Sequence, residues 1–158
     1  WENLVEAFKT FTSRCKTPEY LLYCYDDATL ASLGIKGTSY GFSDGADIQI
    51  LHFRQNGLQI IFDLKIGSVV HPDITCNLSG RHNALNAAAV FGLSHALGVP
   101  AEAIFEAFAT FGGVKRRLEK KGEANGIVAF DDYAHHPAEI RATLKGLRAA
   151  VGDRSIVA

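Results

Sequence analysis

The chain has 158 residues, of which 47% are hydrophobic and 21% are charged, and its formal net charge is −1. This composition excludes a disordered or collagen-like protein, and the near-zero charge argues against a nucleic-acid-binding domain, which would carry a basic excess. The length fits one compact domain or parts of two domains.

The start of the chain and its cysteines further limit the possible classes of protein and its cellular compartment. The sequence contains no methionine and begins at Trp1, so we expect it to be a processed or excised piece of a longer chain. Its longest apolar run, residues 87–93, is too short to span a bilayer, and its start has no signal-peptide pattern. Cys15, Cys24 and Cys76 form no CxxC pair, which indicates reduced thiols in a cytoplasmic protein.

The first predicted elements are a helix and a short strand. Residues 3–13 place four apolar side chains on one helical face, as expected for an amphipathic helix. Residues 20–24 predict a buried strand that runs into Asp26 and Asp27 and then into a short helix over residues 28–33. The two acids either cap that helix or lie at a strand end where ligands bind in α/β folds.

Alternating apolar residues on both sides of Asn56-Gly57 predict an antiparallel hairpin over residues 46–66. Asn-Gly is the strongest short hairpin signal. Because this hairpin interrupts an α/β pattern, we expect it to form a small added sheet.

Helices dominate the next stretch. A strand is predicted over residues 74–78 and a helix rich in small residues over residues 81–97. Pro100 suits the start of a further helix, which Gly112-Gly113 ends. The residues predicted to be buried in that helix are Ile104, Phe105, Phe108 and Phe111.

The composition becomes strongly charged after Val114, so we place a domain boundary between residues 114 and 115. This divides the chain into residues 1–114 and residues 115–158. The preceding Gly112-Gly113 is a candidate hinge between the two parts.

The second part predicts another hairpin, a helix and a strand. Asn125-Gly126 is the turn signal before a strand over residues 127–130, Pro137 opens the helix, and residues 154–158 have strand composition. The apolar face of the helix is predicted to hold Ile140, Leu144, Leu147 and Val151. Its solvent face is predicted to hold Arg141, Lys145 and Arg148.

The first of three chemically suggestive motifs is residues 80–86, Gly-Arg-His-Asn-Ala-Leu-Asn. Asn83 and Asn86 are three residues apart and share a helical face. A carboxamide both donates and accepts hydrogen bonds, which suits the edge of a nucleobase such as adenine. The alternative is that both are polar residues near a helix start.

The second motif, Lys115-Arg116-Arg117, follows the diglycine. The planar guanidinium of an arginine matches phosphate oxygens. The alternative is an ordinary solvated charge run.

The third motif, residues 131–137, reads Asp-Asp-Tyr-Ala-His-His-Pro and lies between a strand end and a helix start. Ligands favour that position in α/β folds. A carboxylate there can accept hydrogen bonds from ribose hydroxyls, and a histidine can contact a phosphate, a carboxylate or an incoming amine. Metal binding by the same acids and histidines is the alternative.

These motifs, in this order, resemble the Mur ligases, ATP-dependent amide-bond-forming enzymes of peptidoglycan synthesis. The resemblance extends over residues 80–89, 113–119 and 131–137, and residues 24–27 and 39–43 also look like the family's central domain. The doubled Asp and doubled His point to the member that adds L-alanine to UDP-N-acetylmuramate. The rival within the family is the murein tripeptide ligase of cell-wall recycling.

The resemblance implies an α/β fold made of two partial domains. Residues 1–114 would be the distal part of the central ATP-binding domain, a mostly parallel sheet with helices and a small antiparallel hairpin sheet. Residues 115–158 would begin a Rossmann-like C-terminal domain. The sequence departs from the family at Ser79 (often Pro), Leu118 (commonly Phe) and Ala138 (usually Thr), and it lacks the phosphate loop.

The resemblance also assigns cofactor-binding residues. Asn83 and Asn86 would hold the adenine of ATP, with His82 nearby. Arg117 would reach the phosphates from the C-terminal domain, and Asp132 would meet the ribose or the metal–phosphate end of the nucleotide. The ligands of Mg²⁺ are expected outside this chain.

Catalytic roles are implied for Tyr133 and His135, which would face the muramoyl carboxylate and the incoming L-alanine; His136 is the weaker candidate. ATP would convert that carboxylate to an acyl phosphate, which the amine then attacks. Without the phosphate loop, we expect the chain alone to lack ligase activity. The resemblance implies no nucleic-acid or membrane partner.

Two hypotheses from other classes remain open at this point. One is a metal-dependent hydrolase built on the acids and histidines of the third motif. The other is a non-catalytic nucleotide-binding or regulatory module.

Overall fold

The computed structural model describes residues 1–158 and contains five α-helices and seven strands. The helices are α1 (Glu2–Ser13), α2 (Ala28–Ser32), α3 (Arg81–Ala96), α4 (Ala101–Thr110) and α5 (Pro137–Val151). The strands are β1 (Leu22–Cys24), β2 (Thr38–Gly41), β3 (Ile48–Asn56), β4 (Gln59–Ile66), β5 (Val69–Cys76), β6 (Glu119–Ala124) and β7 (Ile127–Asp131). None of the helices combines the length and the apolar character needed to cross a bilayer.

Five strands form one sheet in the order β1-β2-β3-β4-β5, and β6 and β7 form a separate antiparallel pair. The pairs β1–β2 and β2–β3 are parallel, whereas β3–β4 and β4–β5 are antiparallel. The predicted α/β class is confirmed, and so is the presence of a small antiparallel hairpin sheet. The hairpin over residues 46–66 does not form an added sheet, however, because β3 pairs with β2 on one edge and with β4 on the other.

Strand β5 begins at Val69, five residues before its predicted start. Pro72 and the exposed side chains of Val69 and Val70 hide the period-2 pattern in the sequence. The strand tolerates Pro72 because β5 lies at the edge of the sheet, where one row of N–H groups needs no partner.

The core lies between the sheet and helices α3 and α4. Its fully buried large side chains are Ile60, Phe62, Leu64 and Phe91. Helix α3 approaches the strands closely because it is built of small residues: a Cβ on Gly92 would lie 2.4 Å from Leu22 Cδ2.

The prediction for the α4 face is confirmed in part. Ile104 and Phe108 are buried and Phe105 packs against the core, but Phe111 is exposed because the helix ends before it, at Thr110.

The second part of the chain has the predicted hairpin, with its turn at Asn125-Gly126, and the predicted helix. The strand expected at residues 154–158 is absent, since the segment pairs with no neighbouring strand. The predicted faces of α5 are confirmed in part. The predicted solvent-facing residues are exposed, and Leu144, Leu147 and Val151 are half-buried, but Ile140 is exposed and Gly146 is the buried residue of the helix. Arg148 is exposed, as predicted, and donates hydrogen bonds to the carbonyls of Gly152 and Arg154, both at 2.6 Å.

Candidate functional site

The first motif forms the N-terminus of α3 and depends on Gly80. Gly80 has a φ of +91°, and a Cβ there would lie 2.8 Å from the ring atoms Nδ1 and Cε1 of His82. Only glycine accommodates both the left-handed backbone and the ring. The turn therefore holds the His82 imidazole against the start of the helix.

Asn83 and Asn86 touch each other, as their spacing predicts. Asn86 Nδ2 donates to Asn83 Oδ1 at 3.2 Å, and Asn83 Nδ2 donates to the carbonyl of Ser79 at 2.8 Å. Asn83 is half-buried and holds the helix start, whereas Asn86 is exposed and keeps its Oδ1 and one N–H for another partner. The pair fits the edge of an adenine, with Asn86 as the residue able to contact it.

The second motif is a tight turn in which two residues adopt left-handed conformations. Arg116 has a φ of +62° and Leu118 a φ of +48°, values that such residues rarely adopt. Within the turn, the N–H of Arg117 donates to Val114 O at 3.1 Å and that of Arg116 donates to Glu119 Oε2 at 2.9 Å. The side chain of Arg117 is exposed and makes no hydrogen bond within the chain.

The third motif binds directly to this turn. Asp132 Oδ2 accepts from the N–H of Leu118 and Oδ1 from that of Ala134, both at 2.8 Å, while the N–H of Tyr133 donates to Arg116 O at 2.7 Å. The guanidinium of Arg116 lies 4.5 Å above the Tyr133 ring. Asp132 thus joins the second and third motifs, and contact with a nucleotide would use its remaining acceptor capacity.

The two histidines of the third motif have different surroundings. His136 is the N-cap of α5: its Nδ1 accepts from the N–H of Ala138 at 3.3 Å, and Glu139 completes a capping box. His135 is exposed, its Nδ1 lies 3.0 Å from Tyr133 O, and its ring centroid lies 5.1 Å from that of Tyr133. Tyr133 and His135 therefore present an open pair of polar side chains, whereas His136 stabilises the helix.

Charge effects link the three motifs. Burial lowers the pKa of His82, the negative charge of Asp132 opposes that shift, and the positive charge of Arg117 adds to it. The hydrogen bonds that Glu139 accepts from the N–H groups of His135 and His136 lower its pKa, and Arg117 contributes in the same direction. Arg117 and Asp132 thus lie close enough to His82 for their charges to act on it, although the three are up to 50 residues apart in the sequence.

The structure contains no group of three or more His, Cys, Asp or Glu residues placed to hold a metal ion. In the third motif, both carboxylate oxygens of Asp132 accept backbone N–H groups, and His136 is occupied as a cap.

The sequence alone assigned no role to Arg81, in the first motif, and did not predict the contact that Asp26 makes. The guanidinium of Arg81 lies 3.5 Å above the Phe42 ring, a cation–π contact. Asp26 accepts from the N–H groups of Phe42 and Ser43 and so fixes the loop that carries the ring. Asp27 caps α2, accepting from Thr29 N at 2.9 Å, as one of the two readings predicts.

Comparison with known proteins identifies the family. Residues 1–94 match the Mur ligase middle domain, and residues 116–158 match the domain described as "Mur ligase, glutamate ligase domain". The chain belongs to the Mur ligase family. A similar curated protein is the UDP-N-acetylmuramate–L-alanine ligase of Protochlamydia amoebophila, 42% identical over 155 residues, covering 98% of this chain and 34% of that protein.

Solved structures of Mur ligases show the same fold. UDP-N-acetylmuramate-alanine ligase MurC from Thermotoga maritima matches with a TM-score of 0.77 and 24% identity, covering 92% of this chain and 33% of that one. MurF from Acinetobacter baumannii matches with a TM-score of 0.80 and 21% identity, covering 94% and 33%. The chain spans about a third of the length of these Mur ligases.

Proposed function

We propose that the protein to which this chain belongs is an ATP-dependent ligase that adds L-alanine to UDP-N-acetylmuramate in peptidoglycan synthesis. The observation that carries the proposal is that Asp132 accepts from the N–H of Leu118 at 2.8 Å and so binds the turn of Arg117. The charges of both residues also act on His82, at the start of α3. The names of several curated relatives, among them that of Protochlamydia amoebophila, support the choice of substrates.

The nucleotide site of the proposal lies at the N-terminus of α3. Asn86 would read the adenine edge, Asn83 would orient Asn86 through their shared hydrogen bond, and His82 would lie beside the nucleotide. The unpaired guanidinium of Arg117 would bind phosphate oxygens, and Asp132 would meet the ribose or the metal–phosphate end. ATP, when bound, supplies the phosphoryl group that activates a carboxylate for amide formation.

In this proposal, Tyr133 and His135 form the site for the muramoyl carboxylate and the incoming amine. Both are exposed next to Asp132, and the contact between their rings orients them together. There they would hold the muramoyl carboxylate and the incoming amine in reactive proximity, the main source of rate enhancement for such a reaction. His136 is not part of this proposal because it caps α5.

The proposal extends to domain organisation and cofactors. Residues 1–114 would be the distal part of a central ATP-binding domain, and residues 115–158 the beginning of a C-terminal domain. Mg²⁺ would accompany ATP with ligands outside this chain, and the protein would work in the cytoplasm. The chain alone would be inactive because it contains no phosphate loop.

A phosphate-release assay with different acceptors tests the function. The full-length protein, with ATP and UDP-N-acetylmuramate, is expected to release phosphate only when L-alanine is added. Release that instead requires a free murein tripeptide would assign the protein to cell-wall recycling, and ATP binding without release under any condition would favour a non-catalytic module.

A further inference from the structure

The side chain of Gln55 joins three separate parts of the chain. Gln55 is near the end of β3, and its Oε1 accepts from the N–H of Gly80 at 3.0 Å. Its Nε2 donates to Gly146 O at 2.9 Å and to Gly57 O at 2.8 Å. A carboxamide supplies this combination of one acceptor and two donors, which neither a carboxylate nor an ammonium group provides.

Two glycines make the contact that Gln55 bridges. A Cβ on Gly146 would lie 3.2 Å from Gly80 Cα and 3.4 Å from both Gly80 N and Ser79 Oγ. Gly146 is also the buried residue of α5, in a helix interior where alanine would be more favourable for the helix itself. The close approach to Gly80 explains why a glycine stands there.

This contact lies between the segments that carry the candidate site. Gly80 begins the turn that holds His82, and α5 follows directly on the loop of Asp132 and His135. The position of α5 therefore determines where that loop, and the Arg117 turn bound to it, stand relative to α3.

We propose that Gln55 is a positioning residue, which fixes α5 against Gly80 through Gly146 and so sets the distance of Arg117 and Asp132 from His82. The effect of Gln55 on catalysis rests on the proposed function. The effect of Gln55 on the position of α5 is independent of that function. Gln55 itself touches no reacting group in this account.

The experiment uses the full-length protein with a fluorescent pair introduced as non-natural amino acids at the exposed positions Lys65 and Ala149. Gln55→Ala and Gly146→Ala are each expected to change the distance between the labels. Gly122→Ala is the matched glycine control because no atom lies within 4 Å of its Cβ. Gln59→Ala is the matched glutamine control because the side chain of Gln59 donates a hydrogen bond only to Asn77, within the first part of the chain.

Kinetics then test the positioning role. Both test variants are expected to lower kcat about 10- to 100-fold, the scale of a small misplacement of reacting groups. The affinity for ATP is expected to fall by a smaller factor, because Asn86 remains in place and only the contact of Arg117 with the phosphates is displaced. The controls should match the wild type. An unchanged label distance in Gln55→Ala would overturn the proposal, whatever Gly146→Ala does, and so would a changed distance with an unchanged kcat. A wild-type protein without ligase activity would refute the proposed function alone, because the distances would still decide whether Gln55 fixes α5.

Discussion

Asp132 Oδ2 accepts a hydrogen bond from the backbone N–H of Leu118 at 2.8 Å, and this bond joins the acidic loop before α5 to the turn that carries Arg117. Leu118 has a φ of +48°, a conformation unfavourable for a leucine, so its geometry depends on such external bonds. The shape of the candidate phosphate-binding turn is therefore maintained by a residue 14 positions away.

Replacing Asp132 with Asn is expected to loosen this turn. The amide keeps one acceptor oxygen where the carboxylate has two, so either the Leu118 or the Ala134 N–H loses its partner. The expected loss is about 1–3 kcal/mol of unfolding free energy for a poorly satisfied group. Hydrogen exchange at the Leu118 amide or at the Ala134 amide should become faster. The exposed Asp153→Asn is the control, and protection of both amides equal to the wild type in Asp132→Asn would contradict the assignment.

Asn86→Ala should weaken ATP binding selectively. Removing a hydrogen bond to the adenine edge costs about 1 kcal/mol, so the KM for ATP of the full-length protein should rise several-fold while the KM for L-alanine stays the same. Asn3→Ala, on the exposed face of α1, serves as the control. An ATP KM equal to the wild-type value would remove Asn86 from the nucleotide site.

Substitutions of the adjacent residues His135 and His136 are expected to have different effects, one on turnover and the other on stability. His136→Ala removes the N-cap of α5 and is expected to lower the unfolding free energy by about 1 kcal/mol. His135→Ala should leave stability close to that of the wild type and instead lower turnover. Denaturant unfolding and steady-state rates measured on both variants check this. A loss of turnover in His136→Ala together with a loss of stability in His135→Ala would contradict these assignments.

Asp63 makes the stability depend on pH. It is 8% exposed, and burial opposes its ionisation; the His52 ring, at 2.6 Å, and the N–H of Asp73, at 2.9 Å, outweigh that effect and hold the pKa of Asp63 below its usual range. A lowered folded-state pKa stabilises the fold above the unfolded pKa of about 3.9, and this contribution disappears as the pH falls through the folded value.

The difference in unfolding free energy between wild type and Asp63→Asn should therefore be fully present above about pH 5 and shrink progressively as the pH falls below about 4. Urea titrations across this range measure the difference. Asp44→Asn is the control because that side chain is exposed. A difference that stays constant down to pH 2 would mean that the charge on Asp63 does not cause the stabilisation.

The sequence predicted the local elements well where short-range chemistry determines them. Asn56-Gly57 and Asn125-Gly126 lie at the two predicted hairpins. The start of β5 was missed because Pro72 and the exposed valines conceal an edge strand. The strand predicted at residues 154–158 is absent because a strand needs a neighbouring strand to pair with, and residue composition does not show whether one is present.

Contacts between distant residues limit prediction of the site. The motif order indicated that His82, Arg117 and Asp132 belong together, but spacing alone could not show that both oxygens of Asp132 accept backbone N–H groups. The contact between Gln55 and Gly146 spans 91 residues and follows no sequence pattern. The left-handed conformation of Leu118 likewise has no signal in residue type.

Direct detection of the product tests the central claim, that the three motifs form the site of an L-alanine-adding ligase. Mass spectrometry of the full-length protein incubated with ATP, UDP-N-acetylmuramate and L-alanine should show UDP-N-acetylmuramoyl-L-alanine. Arg117→Ala should form it about 100-fold more slowly, as expected when a residue that stabilises phosphate charge is removed, while remaining folded. The absence of product with the wild type, or an equal rate with Arg117→Ala, would contradict the account.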